Sequence, residues 1–202
     1  VAIQGFGNVG MNAAKLLHGQ GYKIIAVSDS KTGIYDENGL DISKVIEHKE
    51  KKESLENFKA KQITNKEILE LKCDVLIPAA LGGVITKKNA NNVKAKIILE
   101  LANGPIIPEA DITLQKKNVL VVPDILANAG GVVVSYFEWV QNSTNQYWNK
   151  DKVYKKLKEK MTATTREVYD ACKELKCTMR DSAYILAINR ILEAERLRGV
   201  LK

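Results

Sequence analysis

Short apolar runs alternate along the chain with segments in which apolar residues recur every three or four positions. The segments between the runs predict helices, most clearly at 8–18 and 108–116. The runs themselves predict buried strands at 1–4, 23–28, 74–78, 97–101 and 119–122. This alternation predicts a Rossmann-like α/β fold, with a doubly wound, mostly parallel sheet and helices on both of its faces.

The pattern changes near residue 130, beyond which the chain is expected to be helical. Apolar residues spaced by three and four over 153–175 predict one long helix, and a last helix is expected over about 180–198. The apolar face of that last helix carries Tyr184, Ile188 and Ile191. We therefore expect a single domain over 1–202, with its core at about 1–150 and its C-terminal helices at about 151–202.

Two short stretches carry the signals of helix starts. Asp41 precedes an apolar-periodic segment and suits a helix N-cap. Thr64 and Glu67 have the spacing of a capping box, in which each side chain accepts a hydrogen bond from the backbone of the other residue. Both signals predict helices that begin at the following residue.

Composition narrows the class of protein. Of the 202 residues, 45% are hydrophobic and 27% are charged, which suits a globular protein with a buried core. No apolar run approaches the roughly 20 residues of a transmembrane helix. The N-terminus also lacks the basic segment and cleavage site of a signal peptide. Cys73, Cys172 and Cys177 form no metal-ligand pattern, so we expect reduced thiols in a cytoplasmic protein, with no metal site and no membrane partner.

The net charge of +7 raises the question of a nucleic-acid partner. The lysines are mixed with acidic residues, as at 47–53, which is typical of a solvated helix face. We also expect no aromatic residues among the basic ones, whereas a base-stacking platform requires them. These features argue against nucleic acid. It stays a distant alternative that predicts strongly salt-dependent binding to DNA or RNA.

A glycine-rich run follows the first predicted strand and opens the first predicted helix. It consists of Gly5, Phe6, Gly7, Asn8, Val9 and Gly10. In this context a G-x-G-x-x-G run indicates a dinucleotide-binding site. The first glycine permits a tight turn, the second lets the pyrophosphate approach, and the third lets the helix pack closely on the strand. The helix N-terminus would offer N–H groups and a partial positive charge to the diphosphate.

An acidic residue follows the second predicted strand at the spacing of a ribose-binding group. Asp29 lies 19 residues after Gly10, close to the roughly 20 expected of the acid that accepts hydrogen bonds from the adenosine ribose. Such an acid favours NAD. Ser28, Ser30 and Lys31 flank it and would suit the 2′-phosphate of NADP. The sequence therefore leaves the cofactor as NAD or NADP.

Several segments farther along the chain form a long and specific pattern. They are IPAAL at 77–81, ANGP at 102–105, PEAD at 108–111, VPDILANAGGV at 122–132, SYFEWVQN at 135–142, and MRD with AY at 179–184. Together these segments resemble those of glutamate dehydrogenases. The resemblance extends over essentially the whole chain in the expected order. It implies a cofactor domain for the NAD(P)-dependent oxidative deamination of L-glutamate to 2-oxoglutarate and ammonia, in a homo-hexameric enzyme.

The resemblance also implies roles for residues that follow the predicted strands. Ala79 and Ala80 would let the cofactor lie close to the backbone, and Asn103 and Asn128 would hold the nicotinamide ribose and carboxamide. Ser135 would contact the side-chain carboxylate of the substrate. From the residues alone, the asparagines could instead cap turns, and Ser135 could bond to the backbone four residues earlier.

The acid–base residues implied by the resemblance, a lysine and a carboxylate, belong to a preceding domain whose motifs do not occur in this sequence. The chain also begins within an apolar strand, so we expect that domain to precede it in the parent protein. No catalytic residue is assigned in this chain. Alone, it is expected to bind the cofactor without turning over glutamate.

Two alternatives stay open. Leu81-Gly82-Gly83 resembles the leucine, valine and phenylalanine dehydrogenases of the same superfamily, although those enzymes do not usually carry the segment at 135–142. A truncated, non-catalytic NAD-binding module with a regulatory or sensing role would also fit a chain without acid–base motifs.

Overall fold

A computed structural model describes residues 1–200 as two compact units, one over Val1–Asp124 and one that begins at Ile125. The strands are β1 (Ala2–Gln4), β2 (Ala26–Ser28), β3 (Gly33–Tyr35), β4 (Lys61–Ile63), β5 (Val75–Pro78), β6 (Ile97–Leu99) and β7 (Leu120–Val122). The helices are α1 (Asn8–Gly19), α2 (Ile42–Lys52), α3 (Asn65–Leu69), α4 (Pro108–Lys116), α5 (Asp124–Ala127), α6 (Gly130–Thr144), α7 (Lys150–Leu175) and α8 (Met179–Leu197).

The first unit is built on one seven-stranded sheet in the order β4-β3-β2-β1-β5-β6-β7. Five neighbouring strands, β2, β1, β5, β6 and β7, are parallel to one another. Strand β3 pairs antiparallel with β2, and β4 pairs antiparallel with β3. The mostly parallel sheet is therefore confirmed. The antiparallel edge is an addition that the hydrophobic pattern did not predict, because β4 has only three residues and exposes two of them.

Apolar side chains cover both faces of the sheet. On one face, Ile3, Val27 and Ile77 pack with residues of α1 and α2. On the other face, Leu76 and Ile98 pack with residues of α3 and α4. Because successive strand residues point to opposite faces, β1, β2 and β5 each supply both cores. The expected helices on both faces are confirmed.

Local capping signals locate two helix starts. The Asp41 side chain accepts a hydrogen bond from the Lys44 N–H at 3.2 Å and caps α2. Thr64 and Glu67 form the expected capping box at the start of α3. Between β5 and β6 the chain forms one 3₁₀ turn at Ala90–Asn92.

The second unit is helical, as the sequence predicts. The long helix predicted around 153–175 is α7, and the last predicted helix is α8. The face of α8 with Tyr184, Ile188 and Ile191 is exposed, whereas its buried residues are Met179, Ser182 and Ala183. Within residues 1–200, no helix combines the length and apolarity that crossing a bilayer requires.

Candidate dinucleotide-binding site

The glycine-rich turn joins the end of β1 to the start of α1. Gly5 has φ +102°, a conformation that L side chains rarely adopt, and a Cβ there would lie 2.7 Å from the Cβ of Ala80. A Cβ on Gly10 would lie 1.8 Å from the carbonyl oxygen of Gly5. The predicted tight turn and close packing of helix on strand are therefore confirmed, and both require glycine.

Gly7 differs from the other two glycines of the run. A Cβ at Gly7 would meet no atom within 4 Å, so this side of the turn faces open space. Gly7 is also the N-cap of α1, and no side chain of the described residues caps the helix there. The first N–H groups of this 12-residue helix are thus oriented toward a surface that an anion can approach.

The Asp29 carboxylate is buried at the end of β2 and meets four donors. Its Oδ1 accepts hydrogen bonds from the backbone N–H groups of Lys31, at 2.9 Å, and Thr32, at 3.0 Å. Its Oδ2 accepts from the Lys49 ammonium at 2.7 Å and from the Leu55 N–H at 2.8 Å. This one side chain therefore holds together the turn after β2, the helix α2 and the loop that follows α2.

These contacts determine the ionisation of Asp29. Burial alone would raise the pKa of the carboxyl, but the hydrogen bonds from Lys49 and the three backbone N–H groups outweigh it and hold the pKa at about 2, below its ordinary 3.8. An ionised carboxylate offers about four lone-pair positions. All are used within the chain. In this structure Asp29 organises the turn through these bonds, and its role as the acceptor of the ribose hydroxyls stays a prediction.

A second polar network connects the same turn to α3. The Ser28 hydroxyl donates to Asn65 Oδ1 at 2.7 Å, and the Asn65 amide donates to the Asp29 carbonyl oxygen at 2.8 Å. The Gly5 N–H donates to the Ser28 carbonyl oxygen at 2.9 Å. The glycine turn and the end of β2 are therefore adjacent. Sequence reasoning missed Asn65, because nothing local distinguishes it from any first residue of a helix.

Charged and hydroxyl side chains form a rim beyond the end of β2. Ser30 and Lys31 are exposed, and the Lys31 ammonium lies 3.5 Å from Glu56 Oε2. The hydroxyl of the buried Ser54 donates to the same Glu56 oxygen at 3.0 Å. The loop after α2 thus brings Glu56 next to Lys31, which sequence spacing did not reveal.

The loops after β5 and β6 lie against each other. The Gly83 N–H donates to the Gly104 carbonyl oxygen at 2.8 Å, and a Cβ on Gly82 would lie 3.0 Å from the Asn103 carbonyl oxygen. The exposed residues Ala80 and Asn103 follow the two strands. As predicted, they lie at the carboxyl ends of the parallel strands, the edge at which doubly wound sheets bind ligands.

Gln4, the last residue of β1, has an unusual environment. It is 6% exposed, and its Oε1 atom is buried without a hydrogen-bond partner among the described residues. A buried acceptor without a donor costs free energy.

Asn128 and Ser135 belong to the second unit. Asn128 lies in the turn between α5 and α6 and does not follow β7 directly, because α5 intervenes. The Ser135 hydroxyl donates to the Gly131 carbonyl oxygen at 3.1 Å, one turn earlier in α6. This is the backbone-bonded arrangement that the sequence left as the alternative to a substrate contact.

Basic and aromatic side chains meet along the first turns of α7. The Lys152 and Lys156 ammonium groups lie 5.2 and 5.0 Å from the centre of the Trp148 ring, and Lys150 lies 5.5 Å from the Tyr154 ring. The expectation that no aromatic residues lie among the basic ones is therefore wrong for this segment. These are cation–π contacts within the chain.

No group of three His, Cys, Asp or Glu side chains within residues 1–200 is arranged to hold a metal ion. The three cysteines are free thiols. Burial raises the pKa of Cys73 and of Cys172, so both thiols are less ionised than an ordinary cysteine.

Comparisons with known proteins agree with this geometry. The model of the glutamate/leucine/phenylalanine/valine dehydrogenase family matches residues 1–199. The NAD-specific glutamate dehydrogenase of Staphylococcus aureus (strain COL) is 46% identical over 199 residues, which cover 98% of this chain and 48% of that protein.

Two solved structures are similar in fold. The glutamate dehydrogenase from Peptoniphilus asaccharolyticus matches with a TM-score of 0.84 and 35% identity, covering 99% of this chain and 47% of that one. The hetero-hexameric glutamate dehydrogenase from Thermus thermophilus, in a Leu-bound form, matches with a TM-score of 0.90 and 33% identity, covering 100% of this chain and 48% of that one.

The chain spans about half the length of these relatives, and each match covers nearly all of its own residues. The Rossmann-like fold inferred from the sequence is confirmed. The motifs, the sheet topology and the family match all agree, and the chain belongs to the glutamate/leucine/phenylalanine/valine dehydrogenase family.

Proposed function

We propose that this chain is the NAD(P)-binding part of a cytoplasmic glutamate dehydrogenase, an enzyme for the oxidative deamination of L-glutamate to 2-oxoglutarate and ammonia. The observation that carries the proposal is the glycine turn. At Gly5 and Gly10 a Cβ would collide with other atoms of the chain, whereas at Gly7 a Cβ would meet no atom within 4 Å. The NAD-specific glutamate dehydrogenase from Staphylococcus aureus, at 46% identity, supports this choice of substrate and cofactor.

The residues of the site fit a dinucleotide. The open side of Gly7 and the uncapped start of α1 suit the pyrophosphate, since neither a side chain nor a cap occupies that space. We assign Phe6, Asn8 and Val9, which belong to the same turn, to the cofactor-binding residues. Ala79, Ala80 and Asn103 would line the nicotinamide end, because they follow β5 and β6. By family resemblance, Asn128 would bind the cofactor, and Ser135 would bind the substrate carboxylate.

When bound, the nicotinamide supplies the hydride acceptor of the reaction. This chain's own residues hold and orient the cofactor. The relatives have about as many residues again that have no counterpart here, since the chain covers 48% of the Staphylococcus protein. We assign the acid–base groups to that other half and name no catalytic residue among residues 1–202.

Nicotinamide fluorescence provides the test. NADH and NADPH are titrated into the purified chain, and glutamate is then added with the oxidised cofactor. We expect saturable binding without turnover. Binding of neither cofactor would overturn the proposal, and turnover would overturn the assignment of the acid–base groups to the other half.

A matched pair of variants locates the site. Gly7→Ala adds a methyl group to the open side of the turn, and Gly19→Ala adds one at the other end of α1, where it also meets no atom within 4 Å. We expect Gly7→Ala to weaken NADH binding about tenfold or more, the effect of about 1.4 kcal/mol, and Gly19→Ala to leave it unchanged. Both variants should keep the far-ultraviolet circular dichroism spectrum of the wild type. Equal effects on binding would contradict the proposed site.

A leucine-, valine- or phenylalanine-type dehydrogenase is the second candidate, and Gly82-Gly83 favours it. Gly83 has φ +65°, and a side chain at Gly82 would press on the Asn103 carbonyl. The observed loop conformation therefore favours glycine at both positions. Assay of the full-length parent with glutamate, leucine, valine and phenylalanine decides between the two candidates.

A further inference from the structure

The end of β2 is the part of the site that meets the adenosine ribose in a doubly wound fold. Here it adjoins the glycine turn directly, through the hydrogen bond from Gly5 to the Ser28 carbonyl. Asp29 has all four acceptor positions filled by donors of the chain. A carboxylate with a free oxygen near this point would therefore suit a ribose hydroxyl better than Asp29 does.

Glu56 is the carboxylate that the fold brings to this place. Its Oε2 faces the Lys31 ammonium at 3.5 Å and accepts the hydrogen bond from the Ser54 hydroxyl. The adjacent Leu55 N–H is anchored to Asp29, which fixes the loop against the end of β2. The Glu56 side chain is 53% exposed, and its Oε1 has no hydrogen-bond partner within residues 1–200. An acceptor is thus presented to solvent beside Lys31.

The charges at this rim are balanced. Lys49 is paired with Asp29, and Lys31 is paired with Glu56. A ribose carrying only hydroxyls can donate to Glu56 without disturbing either pair. A 2′-phosphate carries about 1.5 to 2 negative charges. The 2′-phosphate would be attracted to the Lys31 ammonium but repelled by the Glu56 carboxylate. Glu56 lies beside Lys31 and already forms an ion pair with it.

We propose that Glu56 is the residue that makes this site select NAD over NADP, as an acceptor for the ribose 2′-hydroxyl and a like charge to a 2′-phosphate. The inference rests on the proposed function. Acceptance of the ribose hydroxyl, the usual role of the acid at the end of β2, would then belong to a carboxylate in the loop after α2. Asp29 would be the positioning residue that holds this loop in place.

The test compares the affinities of the purified chain for NADH and NADPH, measured by nicotinamide fluorescence, in the wild type and in Glu56→Gln. We expect the wild type to prefer NADH. In Glu56→Gln, the ratio of the two dissociation constants should shift toward NADPH by about tenfold, the effect of one close like charge near the surface. Lys31→Gln should shift the ratio in the opposite direction.

Glu47→Gln is the matched control, because Glu47 is likewise exposed and paired with a lysine, Lys51, but on the outer surface of α2. It changes the net charge equally and should leave the ratio unchanged. Adenosine 5′-monophosphate and adenosine 2′,5′-bisphosphate, used as competitors, differ only in the 2′-phosphate. In Glu56→Gln the ratio of their dissociation constants should shift as it does for NADH and NADPH, which would assign the shift to the 2′ position.

The outcomes separate this inference from the proposed function. Failure of the wild type to bind either cofactor overturns the proposed function. Binding of both with equal affinity, or a ratio that Glu56→Gln and Glu47→Gln change alike, overturns the role of Glu56 and leaves the proposed function intact.

Discussion

The replacement Asp29→Asn tests whether one buried carboxylate holds the end of β2, α2 and the following loop together. Asparagine keeps an amide oxygen that can occupy the place of Oδ1 and accept from the Lys31 and Thr32 N–H groups. It puts an NH₂ donor where Oδ2 faces the Lys49 ammonium and the Leu55 N–H. Two donors in a site with little solvent then lose their acceptor.

The structure sets the expected magnitude. The fall of the Asp29 pKa from 3.8 to about 2 corresponds to about 2 kcal/mol of folding stability at neutral pH. The side chains of Lys49 and Asp29 are 18% and 5% exposed, so solvent screening weakens the pair little. An unpaired buried donor adds about 1–3 kcal/mol. We expect Asp29→Asn to lower the free energy of unfolding by about 3–5 kcal/mol.

The pH dependence follows from the direction of the shift. Because the pKa of Asp29 is lower in the folded chain than in the unfolded chain, its contribution is complete well above pH 3.8 and is lost as the pH falls through about 2. About half of it remains at pH 3. The difference in stability between the wild type and Asp29→Asn should therefore narrow as the pH falls from 7 to 3.

Urea unfolding followed by far-ultraviolet circular dichroism, at pH 7 and pH 3, measures both effects. Asp74→Asn is the control, because Asp74 pairs with Lys96 at 2.6 Å while both side chains are 77% exposed. Such an exposed pair should contribute almost nothing. An equal loss in the two variants, or a difference for Asp29→Asn that does not narrow at pH 3, would refute the reasoning.

Three further substitutions probe the fold. Gly10→Ala should abolish NADH binding and lower the melting temperature, because its Cβ would lie 1.8 Å from the Gly5 carbonyl oxygen. Glu53→Gly should raise the free energy of unfolding by up to about 1 kcal/mol in urea titrations, since Glu53 ends α2 at φ 55°. Ser182→Ala should lower it by about 1 kcal/mol, since the buried hydroxyl bonds to an α7 carbonyl oxygen at 3.0 Å. Fluorescence of Trp148, in the same unit, reports that loss. Unchanged values would contradict these assignments.

The sequence by itself determined the elements whose causes are local. The strand, glycine turn and helix at the start of the chain follow from a short apolar run and from glycines at positions where the observed turn admits no Cβ. The N-cap at Asp41 and the capping box at Thr64 follow from side chains that reach only three residues along the chain. Such interactions depend on spacing, and spacing can be read directly.

Only the tertiary structure decided which distant residues meet. Asp29 stands at the spacing of a ribose-binding acid, yet Lys49 and Leu55, 20 and 26 residues away, take its acceptor positions. The same loop places Glu56 beside Lys31. The two antiparallel strands β3 and β4 are equally non-local. Neither lies in a continuous apolar run, and each is defined by its pairing with the sheet. Spacing identifies the residues that suit a ligand, but the hydrogen bonds made on folding decide which of them remain available to it.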